Sequence, residues 1–502
     1  MTRGLRIVRL ANFVAPSSGG LRTALRHLGA GYLAAGHEPV LVIPGPRRED
    51  RWTPQGRVIT LPGPVVPGSG GYRVLVDRRR LSALLGGLRP DRLEVSDRST
   101  LRWTGAWARR HGVPAAMVSH ESLDGLLKVW GLPDPAAGRL ADRLNARTAR
   151  DFRAVICTTD WAAAEFRRIG TGHLVHAPLG VDLERWHPGR RSAAERARWT
   201  ASGSERLIVM CSRLSPEKRP GTALDALAEL LRAGERARLV VAGEGPLRAR
   251  LEARARAERL PVTFAGFLRG EALPRLLAAA DAVIAPGPVE TFGLAALEAL
   301  ASGTPVAVSP SSALPGVVAE AGAAAAADTG AGFAEAVTEL LTRPEAERRA
   351  AARARAECFP WSAAVDAFLA AHGAAPAAAH DGTSVVGRAP AREAHAQPPS
   401  PGARRHPPVF AAVGAPGEPA GAEGPPWQEP EGASAAAATA GRAVRGPRRG
   451  KADAAEPGVS EGAEPASAPS GTAAAGAGAS PERNPGVAGE AEEPARHSEV
   501  AA

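Results

Sequence analysis

Two carboxylates in one apolar stretch need partners that their neighbours do not supply. Residues 285–309 read APGPVETFGLAALEALASGTPVAVS. Glu298 is the one charged residue between 292 and 302, and no cation stands four residues to either side. A carboxylate so placed is not part of a solvated ion-pair face, and among apolar neighbours it is costly unless something polar meets it. Glu290 lies just before the expected helix, where open N–H groups and the macrodipole favour anions such as phosphate. Gly303 stands where a left-handed helix end is wanted, and a short strand follows at 306–308. This strand–loop–helix–strand unit suits a ligand bearing both hydroxyls and phosphates.

Other chemically capable residues fall at similar positions, just past short apolar strands. Arg213 and Lys218 share one loop (SRLSPEK, 212–218) after the strand 207–211. Two cations on one loop can clamp a diphosphate and neutralise charge as it leaves. His120, with Glu121 and Ser122, follows the strand 115–119. Gly19 and Gly20, after Ser17 and Ser18, open a helix. Glycines there let backbone N–H groups approach a diphosphate or sugar, although a glycine pair alone also makes an ordinary tight turn. Gly243-Glu244-Gly245-Pro246 follows the strand 238–242, and its proline marks a helix start. In open α/β sheets ligands bind beyond the carboxyl ends of the strands, so five such loops in one chain point to one site.

The elements that must position these loops alternate along the chain. Strands are expected at 5–10, 40–43, 57–61, 92–95, 115–119 and 154–158, with helices at 20–35, 81–88, 101–111, 135–150 and 159–169. After a polar hinge at 183–205, strands follow at 207–211, 238–242, 262–265, 282–285 and 306–308. Their helices are expected at 222–232, 246–258, 271–279, 292–302, 332–341 and 344–358, before a last segment at 361–371. Alternating strands and helices predict doubly wound parallel sheets. The organisation expected is an α/β domain over 1–185, a second over 186–358, a terminal helix at 359–372, and a tail at 373–502. Ala, Gly, Pro, Ser and Glu dominate that tail without apolar periodicity, so it is read as disordered.

The chain carries 62 Lys+Arg and 52 Asp+Glu, with 11 basic and 15 acidic residues in 373–502, so residues 1–372 are basic by 14. A basic body suits an anionic partner. Only Lys128, Lys218 and Lys451 are lysines, and the Arg, Ala, Gly and Pro excess is what a GC-rich coding sequence gives. Cys157, Cys211 and Cys358 are far apart, which suggests reduced thiols and the cytoplasm. No zinc-type cluster, signal peptide or membrane-spanning run is read. There is no D-x-D and no GxxxxGK[ST], so a metal-bridged diphosphate site and a P-loop are both unsupported, and no cofactor is expected.

Glu290-x-Phe292-Gly293-x-x-x-x-Glu298, the loop from Ser212 to Lys218, Ala242 to Pro246 and the N-terminal Ser-Gly-Gly together resemble a retaining glycosyltransferase of the GT-B fold, the large family 4. The resemblance covers about residues 5–370. It implies two Rossmann-like domains facing across a cleft, with a nucleotide sugar held mainly by the second. By that resemblance Arg213 and Lys218 hold the diphosphate, Glu298 the ribose hydroxyls, and Glu290, with Thr291, Phe292 and Gly293 beside it, the donor sugar. The backbone at Leu268 would meet the base. Gly19, Gly20 and Gly243 would approach the nucleotide, and His120 would bond the donor sugar from the opposite wall. The terminal helix would cross back onto the first domain.

A narrower likeness, on residues 6–20, 119–122 and 36–38, is to actinobacterial mannosyltransferases that decorate phosphatidylinositol mannosides. It implies GDP-mannose as donor, a lipid or glycolipid acceptor, and a peripheral place on the inner face of the cell membrane. Arg73 and Arg78 to Arg80, mixed with Val74, Leu75, Leu81, Leu84, Leu85 and Leu88, and the stripe Arg139, Arg143, Arg147 fit docking on anionic lipid. Competing readings are a UDP-sugar enzyme with a soluble inositol phosphate or polysaccharide acceptor, a basic nucleic-acid binder, and a non-catalytic scaffold. Aromatic residues at 4% and the lack of a recognition motif argue against nucleic acid as the partner. The intact Arg213, Lys218, Glu290 and Glu298 set argues against the scaffold.

Overall fold

A computed structural model describes residues 4–14, 19–66, 71–120, 122–129, 131–203 and 205–374. Ser17, Ser18, Glu121 and the tail from 375 onward lie outside the described residues. The first half contributes β1 (Arg6–Leu10), β2 (Glu38–Gly45), β3 (Glu49–Thr53), β4 (Gly56–Pro62), β5 (Arg92–Val95), β6 (Ala115–Ser119), β7 (Ala154–Cys157) and β8 (Leu174–His176). Among the described residues they form one sheet in the order β3-β4-β2-β1-β5-β6-β7-β8. The second half contributes β9 (Arg206–Cys211), β10 (Ala237–Ala242), β11 (Val262–Gly266), β12 (Ala282–Ala285), β13 (Val306–Val308) and β14 (Ala323–Ala324), in the order β11-β10-β9-β12-β13-β14.

The central strands read as continuous apolar runs because helices cover both faces of each sheet. Ile208, Val209, Met210, Leu239, Val240 and Val241 are all buried. The chain order reverses at β1 in the first sheet and at β9 in the second, since β2 and β5 flank one and β10 and β12 the other. Loops leaving β1, β9 and β12 therefore open at topological switch points, the places where such sheets leave a crevice.

The structure adds elements that the sequence reading lacks. Strand β3 pairs antiparallel with β4, an exception to the parallel pattern. Its sequence, EDRWT, has no apolar face and gives no periodic signal. The expected polar hinge contains a helix, Ala193–Trp199. Ser192 Oγ accepts from the Glu195 N–H (3.1 Å) and Glu195 Oε1 accepts from Trp199 Nε1 (2.8 Å). That Ser-x-x-Glu spacing is a capping-box signal in the sequence itself.

The helix Trp361–Ala371 lies against the helix Gly20–Ala34. A Cβ on Gly31 would stand 2.2 Å from Val365 Cγ2, so only glycine allows this approach. The His27 and Trp361 rings stack at 4.5 Å. Beyond the helix, the His372 carbonyl accepts from Arg92 Nε (2.6 Å). His372 Nε2 stands 3.1 Å from Glu94 Oε2, which also accepts from Tyr32 (2.7 Å), while Glu94 Oε1 accepts from Arg9 Nε (2.9 Å). Burial alone would raise the Glu94 carboxyl, but the Arg9 guanidinium, with His372 and Tyr32, holds it well below the usual carboxylate range.

Candidate active site

The carboxyl edges of the two sheets face each other, and contacts between their loops show it. Thr291, after β12, donates through Oγ1 to the His120 carbonyl after β6 (2.5 Å). The Thr291 carbonyl accepts from Thr159 Oγ1 after β7 (2.9 Å). A Cβ on Gly20 would lie 3.5 Å from Leu294 Cδ1, so the helix Gly20–Ala34 and the helix Leu294–Ala301 begin side by side. Gly19 (φ 125°) and Gly293 (φ 73°) precede those two helices. The first N–H groups of each helix have no acceptor of their own, and two such ends in one place favour a polyanion.

Lys218 and Glu290 meet here as an ion pair, with side-chain exposures of 20% and 24%. Arg213, on the same loop as Lys218, donates to Glu217 Oε1 (2.9 Å), which also accepts from Ser215 Oγ (2.6 Å). The guanidinium of Arg213 lies over the Tyr72 ring of the first half, 5.0 Å from its centroid. The β9 loop owes its shape to the β10 loop beneath it. The Leu214 N–H donates to the Glu244 carbonyl (2.9 Å) and the Leu247 N–H to the Leu214 carbonyl (3.0 Å). A Cβ on Gly243 would fall 1.9 Å from the Ser212 carbonyl oxygen, and one on Gly245 2.4 Å from that of Leu214. These two glycines let one loop rest on the other.

Glu298 is half-buried on the helix Leu294–Ala301. Its carboxylate has no hydrogen-bond partner among the described residues. Burial, partly offset by Arg185 and reinforced by Asp182, pushes it up to about 8. Arg185 also donates to the Gly270 carbonyl (3.1 Å). That carbonyl closes the turn bearing Leu268, which has left-handed glycines at both ends (Gly266, φ 67°; Gly270, φ 57°). Leu268 itself is partly buried and packs against the core. His120, across from Thr291, is pushed down to about 4 by burial, with Arg9 and Arg98 adding to the effect and Glu94 opposing it; it is neutral at neutral pH.

Thr291 and Phe292 also join the packing around the site. The Thr291 side chain is spent on the His120 carbonyl, and Phe292 is buried edge-on against Phe359 (6.0 Å). Tyr72, Thr159 and Arg185 were not found from the sequence. No motif marks them, because each reaches the site from a segment remote in sequence.

Two doubly wound sheets meeting carboxyl edge to carboxyl edge, with charged loops where they join, give the architecture of the GT-B class. The fold is shared with sucrose-phosphate synthase from Thermosynechococcus elongatus (TM-score 0.58, 22% identity, covering 72% of this chain and 96% of that one). Residues 192–357 match the family model "Glycosyl transferases group 1" and residues 19–180 the "Glycosyl transferase 4-like domain". The chain belongs to the group 1 glycosyltransferases. It is 50% identical over 372 residues, 74% of this chain and 96% of the relative, to the GDP-mannose-dependent alpha-(1-6)-phosphatidylinositol dimannoside mannosyltransferase of Mycobacterium tuberculosis. It is 33% identical over 291 residues, 53% of this chain and 62% of the relative, to the D-inositol 3-phosphate glycosyltransferase of Geodermatophilus obscurus.

Proposed function

We propose that this enzyme transfers mannose from GDP-mannose to a phosphatidylinositol mannoside or a related glycolipid, with retention of anomeric configuration. The observation that carries the reading is the 50% identity across 96% of a GDP-mannose-dependent relative. The lower and shorter match to an inositol phosphate enzyme makes a soluble acceptor the second choice.

In this reading the donor diphosphate enters between the two helix starts and draws Lys218 away from Glu290. Arg213 and Lys218 meet the phosphates, and Glu290 turns to the donor-sugar hydroxyls. Glu298, without a hydrogen-bond partner among the described residues, accepts from the ribose hydroxyls, and the backbone around Leu268 borders the base. Neutral His120 donates to the sugar from the opposite wall. The acceptor hydroxyl attacks C1 on the face the diphosphate leaves. The C1–O(acceptor) bond forms as the C1–O(phosphate) bond breaks, and the hydroxyl proton passes to the departing phosphate oxygen. The positive loop carries the growing charge. Residues to about 185 form the acceptor side, residues 186–358 the donor side, and residues 359–372 return to the acceptor side.

The acceptor points to a membrane surface on the cytoplasmic side. Arg78, Arg79 and Arg80 are exposed, as are Arg139, Arg143 and Arg147. Leu81, Leu85 and Leu88, which the sequence offers as lipid-facing, belong to the core of the first sheet. The exposed arginines, not these leucines, carry the docking. No helix among the described residues is long and apolar enough to cross a membrane.

Incubation with labelled GDP-mannose and phosphatidylinositol mannosides of defined size should give a lipid one hexose larger. Product only from a UDP-sugar with inositol phosphate would transfer the assignment to the second choice.

A further inference from the structure

Tyr72 stands in the segment between β4 and the helix Arg78–Leu88, on the half of the molecule opposite the diphosphate loop. That segment is held at several points. The Val74 N–H donates to the Pro64 carbonyl (3.2 Å) and the Leu75 N–H to Asn12 Oδ1 (2.8 Å). Arg73 donates to the Gly63 carbonyl (2.8 Å). Phe13, in the left-handed region (φ 57°), meets the Tyr72 ring edge-on at 6.3 Å, and its N–H donates to the Arg73 carbonyl (3.4 Å). The ring is thus fixed by the loops after β1 and β4, before any ligand arrives.

The Arg213 guanidinium lies over this ring at 5.0 Å while one of its nitrogens reaches Glu217. A guanidinium carries five N–H donors in a fixed fork. Stacking uses its face and none of those donors. Glu217 sets one edge of the fork, and the ring sets its plane.

We infer that Tyr72 is a positioning residue: it orients Arg213 toward the donor diphosphate only when the acceptor-side loops are in place against the donor side. The inference rests on the diphosphate role proposed for Arg213.

A double-mutant cycle of Tyr72→Leu with Arg213→Ala, read on transfer and on GDP binding by calorimetry, tests it. Tyr72→Leu is expected to lower kcat roughly fivefold, the scale of a cation–π contact at a partly exposed site. The melting temperature should hold, and the substitution should add less than about twofold in the Arg213→Ala background, as coupled sites do. Tyr72→Phe, which restores the ring face, should recover most of the loss. The GDP affinities should show the same coupling. Equal losses in both backgrounds, or a Tyr72→Phe as damaged as Tyr72→Leu, would overturn the inference. If the unaltered protein transferred nothing from GDP-mannose, the functional reading would fail, and the cycle on GDP binding would still decide the role of Tyr72.

Discussion

Lys218 and Glu290, 72 residues apart in the chain, pair side chain to side chain where the loops after β9 and β12 converge. In the function proposed above, a diphosphate would compete for the lysine and release the carboxylate. Lys218→Ala should lower both nucleotide affinity and turnover, the latter about 10²–10³-fold, as removal of one charge-stabilising contact does. Glu290→Gln should slow transfer comparably yet leave GDP affinity equal or higher, because Lys218 is released. Calorimetry with GDP beside initial rates separates the two; weaker GDP binding by Glu290→Gln would contradict the exchange.

Glu298 gives a pH dependence with a definite sign. Its carboxyl is raised from the ordinary value to about 8 in the folded protein, so the fold binds that proton more tightly than the unfolded chain. The contribution is fully present below about pH 4.5, the unfolded value, and is lost as pH rises through 8. The ligand-free protein should lose melting temperature across that window, and Glu298→Gln should flatten the loss. GDP, whose ribose hydroxyls donate best to the charged form, should bind more tightly as pH rises toward 8.5. A pH-independent GDP affinity would argue against the ribose role.

Gly243→Ala should harm the site from beneath. The added methyl would fall 1.9 Å from the Ser212 carbonyl oxygen, and backbone must move to admit it. A cost of about 1–3 kcal/mol or more is expected for such overpacking. Because the displaced strand end carries Arg213, GDP affinity should fall with stability. Unchanged GDP binding in a folded variant would show the loops to be independent.

The Glu94 network should matter to stability instead of turnover. Glu94→Gln leaves Arg9 buried against a neutral amide, and breaking such a pair costs about 3–5 kcal/mol. The native contribution is present above the ordinary carboxylate range and lost as pH falls below it, since the folded value is depressed. His372→Ala, at the end of the returning helix, should cost less but loosen that helix, which hydrogen exchange at residues 361–371 would report.

Charge reversal at Arg139, Arg143 and Arg147 should abolish co-sedimentation with anionic vesicles at low salt. Activity on a short-chain, water-soluble glycolipid should persist, because these side chains lie outside the cleft contacts. Retained vesicle binding would place the docking surface elsewhere.

Much of this was legible in the residues. Apolar β-branched runs gave nearly every central strand, and Gly303 (φ 77°) ends its helix as expected. Arg213, Lys218, Glu290 and Glu298 stood out because charge just past an apolar strand, or inside an apolar helix, has no local explanation. What escaped notice was either without periodicity, as in β3, or masked by surrounding polarity, as in the capped helix Ala193–Trp199. The turn at Gly243 to Pro246 was legible as a structural one from its proline, and its contact with the Ser212 carbonyl shows what that turn packs on.

The sequence by itself determined two α/β units and the loops that carry their charge, because strand burial and helix ends are written at short range. Only the tertiary structure decided that Lys218 meets Glu290, that Thr291 is spent on the His120 carbonyl, and that Tyr72 lies under Arg213. It also took Leu81, Leu85 and Leu88 from a supposed lipid face into the core. Such pairings depend on how two sheets approach. That approach is set by summed packing over residues far apart in the chain, and no local spacing encodes it.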